Sequence, residues 1–395
     1  MADVGCPGFR FAGARGGIKH KAGLDVALIA CDRPATAAAV FTSNRVKAAP
    51  VRLSQRTLRA AGGAGIRGVV VNSGNANACT GPRGAADARR MQAEAAAAIG
   101  CAPGEVLVAS TGVIGTPLPM DRVDAGIALA GAALARGGFG RFAEAILTTD
   151  RGPKTARRTV RLGGRKVTLL GCTKGAGMIA PNMATTLTFV TTDAAIGPAA
   201  LAAATRAAVG PTFNAIAVDG DTSTNDMLTV LAGGAGRKLA GKDLAGFTAA
   251  LQDLLGDLAR QLITDGEGVH HVVEVYVRGA ASARAGQAVA RRIATSPLVK
   301  TAIAGGDPNW GRILCAVGNA GVAIRPERIA VWLDEQPLCS AGARAADHDE
   351  AAAAAVMQRP SYTMTVELGQ GRAEARYLAC DLSHEYVTIN ADYRT

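Results

Sequence analysis

The sequence predicts a mixed fold of the α/β or α+β class rather than a plain doubly wound sheet. Candidate strands outnumber candidate helices, and hairpin patterns indicate antiparallel or mixed sheets. The chain has 395 residues, enough for one large or two moderate domains. Hydrophobic residues make up 49% of it and aromatic residues only 4%, so Ala, Val, Leu and Ile must form the core.

Short apolar segments bounded by turn residues predict the strands. These segments are Leu24–Ala30, Ile66–Asn72, Glu105–Ala109, Asn214–Val218, Val272–Val277 and Ile329–Leu333. Two further pairs of segments surround glycines and predict β-hairpins, because glycine tolerates the positive φ of tight turns. The pairs are Arg157–Leu162 with Arg165–Leu170, and Tyr362–Leu368 with Arg372–Leu378.

Four segments predict helices. Between Leu244 and Leu262, apolar residues recur every three or four positions, which is typical of a helix with one buried face. Alanine-rich composition predicts the other three, and two of them end just before a glycine. These three are Ala85–Ile99, Pro198–Val209 and Ala343–Met357.

The chain carries a net charge of +11, and residues 1–80 hold eleven Lys or Arg against three Asp or Glu. A basic surface attracts anions of many kinds. Nucleic acid is not the expected partner, because no known nucleic-acid-binding motif and no interleaved aromatic residues occur. No segment has the pattern of a membrane span or a secretory signal, so a cytoplasmic protein is expected. Eight well-separated cysteines are expected to be reduced thiols.

Two motifs that would suggest a cofactor fail on their context. Residues 63–68 fit GxGxxG, but they precede a predicted strand, whereas the dinucleotide fingerprint follows one. His270 and His271 are adjacent, and neighbouring residues on a strand point to opposite faces, so they make a poor metal chelate. We therefore expect neither a metal nor a bound cofactor.

Three segments combine glycine with hydroxyl or turn residues, as a reactive site requires. Residues 171–192 read GCTKGAGMIAPNMATTLTFVTT, in which Gly175 and Gly177 bring the backbone close to other groups. Residues 110–115 read STGVIG, and exposed N–H groups beside a hydroxyl suit an oxyanion hole. Residues 301–313 contain the turn DPNWG. Taken singly, each segment also fits a purely structural turn.

Taken together, these segments resemble the ornithine acetyltransferase family of arginine biosynthesis, the ArgJ type. The similarity runs almost from end to end of the chain. It rests on PGFRFAGARGGIKHK (7–21), AAAVFTSNRVKAAPV (37–51), NSGNANACTG (72–81), STGVIG (110–115), LTTDRGPK (147–154), KGAGMIAPNMATT (174–186), ITDGEG (263–268), SPLVKTAIAGGDPNWGRI (296–313) and CDLSHEYVTINADYRT (380–395).

The resemblance implies a precursor that cuts itself between Ala184 and Thr185. The products would be an alpha chain, 1–184, and a beta chain, 185–395, which begins with the nucleophile Thr185. A threonine hydroxyl is a weak nucleophile without a base. Cleavage would supply that base, because it frees an α-amine whose pKa is about 7.7–8.0.

The family resemblance further implies transfer of acetyl from N2-acetyl-L-ornithine to L-glutamate by a ping-pong mechanism. Thr111 and Gly112 would form the oxyanion hole. The implied substrate contacts are Lys174 with carboxylates, Glu267 with the ornithine amine, either Thr148 or Thr149, and also Thr185, Asn390 and Thr395. Acetyl-CoA enters only as a second donor in a bifunctional alternative, and no other cofactor is implied.

The resemblance also implies an αββα sandwich around the nucleophile, with a smaller α/β domain whose boundary lies near residues 240–280. Two cleaved protomers would form a heterotetramer of two alpha and two beta chains, or a larger assembly. Two positions depart from the family pattern: Ala176 replaces a common serine, which removes one hydrogen bond, and Val269-His270-His271 replaces Ala-Thr-Lys, which leaves the charge near Glu267 and the substrate preference open. A role in secondary metabolism, a peptide-hydrolysing N-terminal-nucleophile aminopeptidase and an inactive basic binding module remain alternatives.

Overall fold

The computed structural model describes residues 5–19, 22–179 and 186–392. Three of the predicted site residues, Ala184, Thr185 and Thr395, lie outside these ranges. Within them, no helix is long and apolar enough to cross a membrane. The eight cysteines are free thiols, as the sequence predicts.

Strands and helices are interspersed along the whole chain. The strands are β1 (Phe9–Ala14), β2 (Val26–Phe41), β3 (Ile66–Asn75), β4 (Val106–Val113), β5 (Lys154–Leu162), β6 (Arg165–Lys174), β7 (Leu187–Thr192), β8 (Met227–Ala232), β9 (Val272–Ala280), β10 (Ala330–Leu333), β11 (Gln336–Ser340), β12 (Ala343–Arg344), β13 (Ser361–Glu367) and β14 (Ala373–Cys380). The helices are α1 (Ala49–Ala60), α2 (Gly81–Ile99), α3 (Met120–Ala132), α4 (Phe139–Ala145), α5 (Pro198–Val209), α6 (Gly241–Thr264), α7 (Ala283–Ala294), α8 (Pro297–Gly305), α9 (Trp310–Gly318), α10 (Glu350–Met357) and α11 (His384–Asp392).

The larger sheet runs in the order β4-β3-β2-β8-β7-β6-β5, with β1 paired to β2. Strand β2 is long enough to serve two halves of this sheet. Its first part, Val26–Ala30, pairs with β3, and its last part, 36–41, pairs with β8. The register shifts between Ala30 and Ala35, where β2 passes from one half to the other.

The strands of both halves of this sheet carry apolar residues on both faces, so the two halves and the helices outside them pack as four layers. Ile29 and Val71 on one half share a core with Phe189 on the other, so the two halves pack face to face. Their outward neighbours, such as Leu28 and Val190, pack into two further cores with helices. Helices α2 and α3 cover one outer face, and α5 and α6 cover the other. The αββα sandwich implied by the resemblance is therefore confirmed.

The smaller sheet has the order β12-β11-β10-β13-β9-β14 and a core of its own, to which helix α7 contributes. This order makes one predicted hairpin wrong. Strands β13 and β14 do not pair with each other, because β9 lies between them, parallel to β13 and antiparallel to β14. The other hairpin is confirmed: Leu162 of β5 pairs with Arg165 of β6 across the two-glycine turn.

Two more element predictions are wrong. Asn214–Val218 is not a strand, because its buried residues divide between two cores and its backbone makes single bonds to Leu378 and Ile179 instead of a ladder. The predicted helix Ala343–Met357 is confined to α10. The Asp349 side chain caps that helix by accepting the Ala352 N–H at 3.0 Å, and the residues before it form β12 and a turn.

Candidate active site

A cavity of about 360 Å³ opens where the ends of β4, β6 and β7 meet the loop after α6 and helix α11. Every predicted site residue that the structure describes lines it. These residues are Thr111, Gly112, Thr148, Thr149, Lys174, Glu267 and Asn390. Thr186, which follows Thr185 in the chain, lines the same cavity. The structure thus gathers side chains that lie up to 279 positions apart in the sequence.

The predicted oxyanion residues lie at the end of β4, beside the parallel strand β3. Gly112 has a φ of +129°, and a Cβ there would stand 2.3 Å from the carbonyl carbon of Gly74. Both the left-handed φ and the close approach require glycine. The backbone of Gly112 therefore lies directly against that of Gly74 at the cavity wall, where its N–H suits the role of an oxyanion donor.

Lys174 ends β6 and carries its ammonium into the cavity. Its Nζ donates to Thr148 Oγ1 at 2.7 Å and to Thr111 Oγ1 at 3.2 Å. Burial lowers the pKa of Lys174, and nearby carboxylates, chiefly Asp150, act in the opposite direction. The ammonium therefore links the oxyanion wall to the loop that holds the two threonines.

Asp150 is a site residue that sequence reasoning missed. It is buried and accepts hydrogen bonds from the N–H groups of Gly175 at 2.6 Å and Thr148 at 3.0 Å, and from Lys154 Nζ at 2.6 Å. Although burial raises the pKa of Asp150, Lys174 and Lys154 outweigh it and lower that pKa to about 2. The sequence LTTDRGPK (147–154) already indicates an ion pair, because Asp150 and Lys154 are four positions apart.

Glu267 follows α6 and has both carboxylate oxygens engaged. Thr149 Oγ1 donates to Oε1 at 2.8 Å, and Asn390 Nδ2 donates to Oε2 at 3.0 Å. Gly177 packs against this carboxylate, because a Cβ there would lie 2.3 Å from Glu267 Oε2 and would displace the side chain. Two distant segments therefore hold this carboxylate in one orientation at the cavity, and Gly177 leaves room for it.

The remaining wall, residues 219–226, was not predicted, although its run of Asp, Ser, Thr and Asn is a visible signal. Asn225 Nδ2 donates to the carbonyls of Ala76 at 2.6 Å and Ser110 at 2.8 Å, which connects this segment to the residue that follows β3 and to β4. Asp226 is buried, and burial raises its pKa well above the ordinary value. Its Oδ2 has no hydrogen-bond partner among the described residues.

The unusual His270-His271 pair lies outside the lining of the cavity. His270 Nε2 is 3.1 Å from Glu385 Oε2 on α11, and His271 Nδ1 is 2.9 Å from the carbonyl oxygen of Arg359. Across residues 5–19, 22–179 and 186–392, no three His, Cys, Asp or Glu side chains cluster as a metal site would need. The pair thus connects to neighbouring elements, including the helix that carries Asn390.

Comparison with known proteins decides the family. The sequence model of the ArgJ family matches residues 10–395. The chain belongs to the ArgJ family. The "Arginine biosynthesis bifunctional protein ArgJ" of Rhizobium meliloti (strain 1021) is 48% identical over 397 residues, covering 98% of this chain and 95% of its own length. The protein of the same name from Geobacter sulfurreducens is 47% identical over 392 residues, covering 98% and 99%.

A solved ArgJ structure is also similar to this chain. The crystal structure of the "Arginine biosynthesis bifunctional protein argJ" from Bacillus halodurans aligns with a TM-score of 0.50 and 41% identity. The alignment covers 52% of this chain and 98% of the solved chain. The family resemblance found in the sequence motifs is thereby confirmed.

In this ArgJ-family chain, the cavity separates its charges in a way that suits an amino-acid ligand. Lys174 offers a cation, and Glu267 offers a fixed carboxylate. The N–H of Gly112 and the hydroxyl of Thr111 lie on the wall that Lys174 contacts. Such an arrangement can bind groups of both signs and stabilise a developing oxyanion.

Proposed function

We propose that this chain transfers the acetyl group of N2-acetyl-L-ornithine to L-glutamate in arginine biosynthesis, through an acetyl-Thr185 intermediate. One observation carries the proposal: a single cavity, bordered by Thr186, gathers the seven described residues that the resemblance assigns to catalysis and substrate binding. Membership in a family whose relatives are named for arginine biosynthesis supports the substrate class. We further propose that the enzyme works in the cytoplasm without a resident cofactor.

Activation would begin with cleavage between Ala184 and Thr185. Thr185 Oγ attacks the Ala184 carbonyl carbon, the peptide C–N bond breaks, and the nitrogen takes the proton to become an α-amine. Water then hydrolyses the ester, leaving the Ala184 carboxylate and the free Thr185 hydroxyl. The alpha chain 1–184 and beta chain 185–395 would stay associated as a heterotetramer of two cleaved protomers. The solved chain from Bacillus halodurans supports cleavage, because nearly all of it aligns with only about half of this chain.

Transfer would then proceed in two displacements. The α-amine of Thr185 takes the hydroxyl proton, and Oγ attacks the acetyl carbon of the donor. Gly112 N–H and Thr111 hydroxyl would stabilise the oxyanion. Because Lys174 Nζ already donates to Thr111 Oγ1, the hydroxyl hydrogen of Thr111 remains to be donated to that oxyanion. The protonated α-amine gives its proton to the ornithine nitrogen as the amide C–N bond breaks, and ornithine leaves. The glutamate amine then attacks the acetyl-Thr185 ester, and the α-amine carries the proton lost by that nitrogen to Thr185 Oγ, which regenerates the hydroxyl.

The charges of the cavity support binding of both substrates. Lys174 has three N–H donors, and two of them engage Thr111 and Thr148, so one remains for the α-carboxylate that ornithine and glutamate share. Glu267 suits the amine of ornithine. Asn390 donates from Nδ2 to the Glu267 carboxylate. Like Thr148 and Thr149, Asn390 borders the space that a substrate would occupy.

A bifunctional enzyme that also accepts acetyl from acetyl-CoA is the second candidate. The observation in its favour is the name "bifunctional", which the two relatives and the solved protein share. A peptide-hydrolysing enzyme would differ in letting water, rather than glutamate, take the acyl group. Steady-state rates with N2-acetylornithine plus glutamate, acetyl-CoA plus glutamate, and a peptide substrate alone would separate the three.

The intact mass of the denatured protein tests the proposal first. We expect two chains, the second beginning at Thr185, and a single uncut chain for Thr185→Ala. The cleaved protein should then form N-acetylglutamate from N2-acetylornithine and glutamate. Cleaved protein without that activity would contradict the proposed substrates, and uncut wild-type protein would contradict the proposed nucleophile.

A further inference from the structure

Asp219 binds the backbone immediately before the segment that contains the proposed cleavage bond. Its Oδ2 accepts the N–H of Met178 at 2.5 Å, and its Oδ1 accepts the N–H of Ile179 at 2.8 Å. Oδ1 also accepts the N–H of Asp221 at 3.1 Å, which fixes the carboxylate in its own loop. None of the roles given above involves this carboxylate.

Met178 adopts a backbone conformation that its side chain disfavours. Its φ is +57°, in the left-handed region that non-glycine residues rarely occupy. Such a conformation persists only where its surroundings impose it. Here two successive N–H groups, those of Met178 and Ile179, converge on one carboxylate. The Asp219 carboxylate therefore offsets the cost of the left-handed turn.

Both ends of the stretch 180–185 are attached to one segment, residues 218–227. Before the stretch, Ile179 is fully buried, and its carbonyl accepts the Val218 N–H at 2.7 Å. After it, the carbonyl of Thr186 accepts the Met227 N–H at 2.9 Å. Asp219 lies in this same segment. The bonds to Asp219 and Val218 together fix Ile179, the last described residue before the stretch.

We propose that Asp219 is a positioning residue for self-cleavage. By holding the backbone of Met178 and Ile179, Asp219 favours the conformation in which the cleavage segment that follows them reacts. This inference rests on the proposed self-cleavage at Ala184–Thr185. Asp219 neither attacks nor exchanges a proton in that step. Its contribution comes from preorganisation, because a small displacement of reacting groups costs much of the rate of an intramolecular attack.

The test follows cleavage of the full-length chain during cell-free synthesis, by intact mass against time. Asp219→Asn keeps the shape of the side chain but replaces one acceptor oxygen by a donor, so we expect cleavage to slow by about tenfold or more. Adding Met178→Gly should restore about threefold of that loss, because glycine occupies the left-handed region without strain. The matched control is Asp193→Asn. The Asp193 carboxylate accepts the Thr168 N–H at 2.7 Å and does not line the cavity.

Circular dichroism separates a positioning effect from misfolding. Slow cleavage of folded Asp219→Asn, with rapid cleavage of the control, would support the proposal. Cleavage of Asp219→Asn at the wild-type rate would overturn it, and so would an equal loss in the Asp193→Asn control. If Asp219→Asn does not fold, Asp219→Glu replaces it in the test. Cleavage of Asp219→Glu at the wild-type rate would then overturn the proposal. An uncut wild-type chain would instead refute the proposed function itself.

Discussion

Thr149 Oγ1 donates a hydrogen bond of 2.8 Å to Glu267 Oε1, joining residues 118 positions apart. Its neighbour Thr148 contacts a lysine instead: Thr148 Oγ1 accepts a hydrogen bond from Lys174 Nζ at 2.7 Å. Family resemblance does not distinguish the two threonines. The structure gives them different partners, one on the carboxylate side of the cavity and one on the ammonium side.

Substituting each threonine by valine should therefore affect different substrates. Thr149→Val removes a donor from Glu267, so we expect the KM for N2-acetylornithine to rise about tenfold with little change for glutamate. Thr148→Val removes an acceptor from Lys174 and should raise the KM for both substrates, which share an α-carboxylate. Steady-state kinetics with each substrate varied in turn would measure this, and identical KM patterns for the two variants would contradict it.

The Asp150 carboxylate should stabilise the fold as well as the site. It is buried against Lys154 and Lys174; in Asp150→Asn, Lys154 keeps its ion pair with Asp265, but the buried Lys174 loses the carboxylate that most favours its charge. We expect a loss of about 3–5 kcal/mol in the free energy of unfolding at neutral pH. Urea unfolding of wild type and variant measures this loss. A difference below about 1 kcal/mol would show that solvent or neighbouring groups compensate the lysines.

The same carboxylate predicts a pH dependence of defined sign. The folded chain lowers the pKa of Asp150 from 3.8 to about 2, so its stabilisation is present above pH 3.8 and is lost as the pH falls toward 2. The wild-type advantage over Asp150→Asn should therefore shrink on acidification by an amount on the order of 2 kcal/mol. Unfolding curves between neutral pH and acid, with both proteins in the same buffers, would reveal it.

How much the sequence predicts depends on how local the deciding interactions are. The helix α6 and the hairpin of β5 and β6 were predicted because periodicity and a two-glycine turn act within a few residues. The hairpin of β13 and β14 failed because β9, from about 90 residues upstream, takes the place between them. No local pattern reveals such an insertion.

The same distinction applies to the site. Thr111, Gly112 and Lys174 were found because each belongs to a recognisable motif. Asp150 and Asp219 were missed because their importance comes from what they contact, backbone N–H groups and lysines brought near by folding. Acidic residues of this kind look like ordinary loop residues until the fold places them beside the cavity.

Gly112 offers a direct test of the oxyanion wall. In Gly112→Ala, the added Cβ would meet the backbone of Gly74 at 2.3 Å and of Asn75 at 2.5 Å, and alanine disfavours the φ of +129°. The donor N–H must then shift, so we expect acetyl transfer to fall about 100-fold or more. Gly104→Ala is the matched control, because nothing lies within 4 Å of its Cβ position. Equal activity of the two variants would contradict a preorganised donor at Gly112.

Asp226 should respond to substitution in the opposite way from Asp150. Burial raises the pKa of Asp226 well above its ordinary value, although a hydrogen bond from Ser223 and the charge of Lys174 act in the opposite direction, so folding favours the neutral, protonated carboxyl. Asparagine resembles that neutral form in size and charge. We therefore expect Asp226→Asn to leave the free energy of unfolding within about 1 kcal/mol of wild type near neutral pH, or to raise it.

The sign of this effect follows from proton linkage. A folded-state pKa raised above 3.8 means that the unfolded chain gives up the Asp226 proton first, so wild type loses stability as the pH rises through 3.8 toward the folded-state value. Asp226→Asn lacks this loss. Its stability relative to wild type should therefore increase with pH, whereas that of Asp150→Asn should decrease. Parallel urea titrations of both variants provide the comparison, and a destabilised Asp226→Asn whose deficit grows with pH would show that Asp226 is ionised and paired with Lys174.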